Sequence, residues 1–156
     1  MLLNIAALSL CVNAAAFDRA SIGVIFDWLS GSWTTAADAP DMRRVTFLPL
    51  GDFIRIQMHV ANPVGAPDRV EEIASGVGGA MFLRTDLARD RRGGLRLIRI
   101  DRGERRSALF ERQSGIFPER VEYAVERGVL TRTASMLDGS RLQVETYTLQ
   151  EVQPAR

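Results

Sequence analysis

The sequence predicts an all-β fold: an antiparallel, up-and-down barrel of about eight to ten strands behind one short N-terminal helix. Three observations lead there. Apolar and polar residues alternate along most of the chain after Gly31. Turn residues recur roughly every 8–12 positions. The connections are short, which suits a meander better than the long crossovers of a Greek-key sandwich.

The helix is predicted from Asp18 to Leu29, where Ile22, Ile25, Phe26 and Leu29 recur at spacings of three and four and Gly31 ends the run. Short strands follow at Ser32–Ala36 and Met42–Leu48, with a turn at Gly51-Asp52. Phe53–Ala61 alternates most regularly. Ile54, Ile56, Met58 and Val60 share one face and Arg55, Gln57 and His59 the other. Prolines in Asn62–Pro67 stop that ladder. Further strands are read at Arg69–Ser75, Ala80–Asp86, Leu95–Asp101, Ser107–Arg112, Glu119–Glu126, Val129–Leu137 and Ser140–Leu149. Arg127-Gly128 and Asp138-Gly139 join the last three, and Asp-Gly between alternating runs signals a type I′ hairpin. No βαβ spacing occurs, which argues against a parallel sheet.

The chain of 156 residues suits one domain with a self-sufficient core. A net charge of +1 gives no global field toward nucleic acid or an acidic membrane. All 20 basic residues are arginine, so a lysine Schiff base or lysine general base is unavailable. Residues 1–16 read as an export signal: an apolar run from Leu2 to Val12, then Ala14-Ala15-Ala16 in the pattern of a cleavage site. No arginine precedes Arg19, so retention of the segment as an anchor stays open. Cleavage would leave a domain of residues 17–156 in the periplasm or outside the cell. It would remove Cys11, the one cysteine, and with it thiol and disulfide chemistry.

Trp28-Leu29-Ser30-Gly31-Ser32-Trp33 resembles the L-x-G-x-W opening of calycin barrels, the lipocalin and fatty-acid-binding-protein class. Phe110-Glu111-Arg112, followed by Phe117-Pro118-Glu119-Arg120-Val121-Glu122-Tyr123, resembles the F-E-N…D-F-P-Q-R-I-x-Y segment of a bacterial family of unknown function with such a barrel. That family's histidine before Phe-Pro is absent here, where Gly115-Ile116 stand. The resemblance therefore implies a calycin-like fold and no activity.

His59 is the only histidine, so any Ser-His-Asp set or hydrolase or isomerase chemistry would have to use it with a carboxylate, and no G-x-S-x-G elbow accompanies it. One histidine and no mature cysteine cannot build an imidazole–thiolate metal site, and no cofactor is expected. Glu122 and Glu126 share a strand face, with Glu145 read as a neighbour; arginines beside them favour a salt-bridged surface. Glu71 and Glu72 project to opposite faces. Arg89, Arg91 and Arg92, with Arg105-Arg106, make two basic clusters with acids interspersed. The favoured reading is a non-enzymatic barrel for a small, mainly apolar molecule, without nucleic-acid partners or lasting membrane insertion. Arg55, Gln57 and His59 would contact that molecule if their face turns inward, with Trp33 and Tyr123 among the aromatics lining the cavity. A filled barrel serving as a structural or protein-interaction module is the alternative.

Overall fold

In the computed structural model, which describes residues 22–35, 42–60, 66–90 and 93–150, ten strands close into a single barrel. They are β1 (Gly31–Thr34), β2 (Arg43–Leu50), β3 (Phe53–Val60), β4 (Arg69–Ser75), β5 (Met81–Arg84), β6 (Leu95–Arg102), β7 (Arg106–Glu111), β8 (Arg120–Glu126), β9 (Val129–Ser135) and β10 (Gln143–Leu149). Each is antiparallel to its neighbours, the order around the barrel is the order along the chain, and β1 closes against β10. With a short helical segment before β1, this is the up-and-down barrel that the alternation and short connections predict, of the calycin-like form that the sequence resemblance implies. The signal segment, Cys11 and the predicted helix start at Asp18 lie outside the described residues.

Alternation decides what faces in. On β3, Ile54, Ile56 and Met58 are core residues, paired with Pro49, Phe47 and Val45 of β2. Arg55, Gln57 and His59 take the opposite, outer face and are only half-buried.

Of the two turns read between the last three strands, one holds and one is corrected. Arg127-Gly128 is the two-residue type I′ hairpin, with φ of 50° and 76° and Glu126 paired to Val129. Asp138-Gly139 is not: of that pair only Gly139 has positive φ. The chain instead makes a longer loop in which the Met136 N–H donates to the Ser140 carbonyl and Arg141 turns left-handed, so β10 starts at Gln143. Among the described residues the helical segment is one turn, α1 (Ile22–Ile25), continued by a 3-10 turn at Asp27–Leu29, its predicted end.

That segment closes one end of the barrel. Ile22, Ile25, Phe26 and Leu29 are buried, and Phe26 stacks on Phe110 of β7 at 6.3 Å. The indole N–H groups of Trp28 and Trp33 donate to the carbonyls of Ile25 and Leu29 at 3.1 and 3.0 Å, so both large rings are buried with their polar atoms satisfied. Gly31 lies between them at φ 122°, and a Cβ there would meet Leu149 Cδ1 of the closing strand at 3.2 Å.

Two seams are short. Among the described residues, β1 and β10 pair at Trp33–Leu149 and Thr34–Thr148, and β5 and β6 at Phe82–Arg96 and Leu83–Leu95. The seams lie on opposite sides of the barrel and divide it into two five-stranded halves, β1–β5 and β6–β10. A latch crosses the second seam. Asp90, in the β5–β6 connection, accepts from the Thr85 and Asp86 N–H groups and from Arg112 at 2.7 Å.

Phe110→Ala should cost about 3–5 kcal/mol in urea unfolding, because the end plug stacks on that ring. Ile98→Ala, on an exposed residue of β6, should change stability by less than about 0.5 kcal/mol. Equal effects would contradict this placement of the core.

Candidate functional site

Inward positions of β4 alternate as Arg69, Glu71 and Ile73. The first two are charged, and strands on the far wall supply their partners. Arg132 lies inward on β9, Tyr123 on β8, and Glu145 and Tyr147 on β10. In the closed ring, β9 stands opposite β4 with four strands between them on either side, so these contacts cross the lumen.

Glu71 is the deepest member. Its carboxylate accepts from Arg132 Nη2 at 2.6 Å and Nε at 3.2 Å, and a short hydrogen bond from the Tyr123 hydroxyl. Phe47 of β2 meets the Tyr123 ring edge-on at 5.7 Å, closing the lumen beside the ion pair. Arg69 holds Glu145 in a bidentate pair at 2.8 and 2.7 Å, and Arg43, on the rim of β2, lies 3.7 Å from the same carboxylate. Side-chain exposure falls from 39% at Arg43 through 23% at Arg69 and 14% at Glu145 to 5% at Arg132 and 1% at Glu71. The cluster therefore grades from the rim into the core, with three arginines against two carboxylates.

Burial raises the pKa of Tyr123, and the Glu71 charge raises it further, so the phenol keeps its proton and donates. Burial opposes the charges of Arg69 and Arg132, yet the carboxylates beside them outweigh it and both stay ionised. Burial also pushes Glu145 up, but the Arg69 hydrogen bond and charge bring it below the usual carboxylate range. The Tyr147 hydroxyl is buried beside Glu145; burial raises its pKa, and the charge and hydrogen bond of Glu145 raise it further against Arg69 and Arg43.

The structure brings together two of the five sequence-predicted contacts in the interior, Trp33 at the plug and Tyr123 in the network. It turns Arg55, Gln57 and His59 outward. Arg55 pairs with Glu72 at 2.9 Å on the outer wall, and His59 forms no ion pair among the described residues. Glu145 is not beside Glu122 either, because β9 separates β10 from β8. Glu122 faces out and is held bidentately by Arg105 at 3.1 and 3.0 Å. Arg43, Arg69, Glu71, Arg132 and Tyr147 escaped sequence reasoning, although the alternation that placed Ile73 inward places Glu71 and Arg69 inward as well. A groove of about 370 Å³ lies over the outer face of the β8–β9 hairpin, lined by Arg105, Glu126 and Arg127 among others, and touches none of this.

The Phe-Pro-Glu-Arg signature has structural work here. Glu119 accepts from the N–H groups of Ser114, Gly115 and Leu137, which hold its carboxyl below the usual range, and Phe117 packs on the core.

The fold and the network together define a calycin-like barrel with a charged cluster across its lumen. No protein-family profile matches the chain, and no curated protein matches it significantly. Among solved structures it is similar to a mutant of the fluorescent protein UnaG, 15% identical, covering 81% of this chain and 99% of that one with a TM-score of 0.45. At that identity and score the likeness carries nothing about function.

Glu71→Leu or Arg132→Met alone should cost about 3–5 kcal/mol, because each strands a buried charge. The double variant should be more stable than either single one in urea titrations; additive losses would show that the two do not act as a pair. Glu145 and Asp90 have lowered pKa values in the folded state, so the stability they supply is complete above the unfolded carboxylate value of about 4. It is lost as pH falls through the folded values. The melting temperature should therefore stay level from neutrality to about pH 5 and fall below about pH 4, less steeply in Glu145→Gln.

Proposed function

We propose that this protein is an exported, non-enzymatic carrier for a small, mainly apolar molecule with an acidic head. One observation carries the reading: the lumen holds a graded, net positive cluster of arginines that reaches solvent at one rim. Buried ion pairs of this kind are often no more stable than apolar residues of the same volume, so stability alone is a weak reason for the cluster. Arg43 and Arg69 offer guanidinium donors at the rim in the geometry a carboxylate prefers. Val60, paired with Arg43 on the neighbouring strand, offers partly exposed apolar surface for the rest of the molecule. Export rests on the apolar run and alanines of residues 1–16, and kinship with the bacterial barrel family rests on the WLSGSW and FPERVEY segments.

The edge-on contact of Phe47 with Tyr123 favours a second reading, a packed barrel without an interior ligand. Titration with anilinonaphthalene sulfonate, followed by displacement with dodecanoate and with dodecanol, separates the two. The carrier reading expects saturable binding, displacement by the acid at lower concentration than by the alcohol, and loss of that preference in Arg69→Met. No saturable binding of any probe would leave the packed barrel. Mass spectrometry of protein from the exported fraction checks the cleavage point near Phe17.

A further inference from the structure

We propose that Glu145 is a built-in competitor for the acidic ligand, a carboxylate that occupies the arginine site until the ligand displaces it. The inference rests on the carrier reading and deepens it by naming what controls access. Arg69 presents both terminal nitrogens to Glu145 at 2.8 and 2.7 Å, the bidentate arrangement it would offer a ligand carboxylate. Arg43 and Arg132 approach the same carboxylate at 3.7 and 3.8 Å, so Glu145 lies at the centre of the three positive charges. The two acidic members differ in how firmly they are held. Glu71 has Arg132 and Tyr123 as close partners at the buried end of the cluster, and replacing it would require reorganising the core. Glu145 is nearer the rim, and Arg69 is its one ion-pair partner within 3 Å among the described residues.

One further observation agrees. Glu145 also lies on β10 and Arg69 on β4, so their pair ties one half of the barrel to the other, on a strand whose contact with β1 is short. Releasing it loosens the barrel where the apolar body of the ligand has to enter. Ligand binding and opening then draw on the same ion pair, and a molecule without an acidic head has no means of displacing Glu145.

Dodecanoate and dodecanol affinities of the full chain, of Glu145→Gln and of Glu145→Ala test this, with near-ultraviolet circular dichroism confirming that each variant is folded. The expected result is dodecanoate binding about tenfold tighter in either variant, with dodecanol changed much less. A purely structural Glu145, one that only holds Arg69 in place, predicts the opposite sign: weaker dodecanoate binding once Arg69 is freed. Unchanged or weaker binding in a folded variant, with wild type binding dodecanoate, overturns the competitor role and leaves the carrier reading standing. Failure of wild type and both variants to bind either probe overturns both.

Discussion

The ion pair between Glu71 and Arg132 spans the lumen, and much of the interior is arranged around it. A ten-stranded barrel is wide, and apolar side chains from one wall have to reach those of the other to exclude water. Here a long guanidinium from β9 and a carboxylate from β4 make that reach, with Tyr123 donating to the same oxygens. Each charge is tolerable only because the other is present. The contact also fixes the relative position of two five-stranded halves whose direct backbone seams are short.

The interior is consequently graded. At the plugged end it is an ordinary core, with Phe26 on Phe110 and indole nitrogens satisfied by helical carbonyls. Toward the opposite rim it becomes polar and then partly exposed, ending at Arg43. Several ion pairs outside the lumen, Arg55–Glu72, Arg105–Glu122 and Arg120–Glu111, each join strands of the same half. Those that cross between halves through the lumen are Glu71–Arg132, Arg69–Glu145 and the longer Arg43–Glu145. Surface pairs of the first kind contribute little each. The crossing pairs are shielded from water and decide how the halves sit together.

Much of this architecture was legible in the chain. Ile54, Ile56 and Met58 against Arg55, Gln57 and His59 define a strand with one buried face, because a two-residue period leaves no other way to hide three apolar side chains. Repeating that pattern ten times with short turns yields a meander, and the Leu29-Gly31-Trp33 spacing marks its plugged end. The alternation also carries the error in the predicted site. Polar residues of the most regular strand were candidates for contacting a ligand, yet their regularity is what places them outside.

What the sequence determined by itself is the inside–outside assignment of the strands without a bulge, since that depends only on neighbours two residues apart; in β6 a register shift between Leu97 and Arg99 leaves Ile98 outside and turns Ile100 inward. Tertiary structure decided which inward charges meet. Arg69 and Glu145 are separated by 76 positions and Glu71 and Arg132 by 61, and nothing local says which inward arginine meets which inward carboxylate. Only closure of the ring places β4 opposite β9, and only there does a buried carboxylate find the guanidinium that makes its burial tolerable.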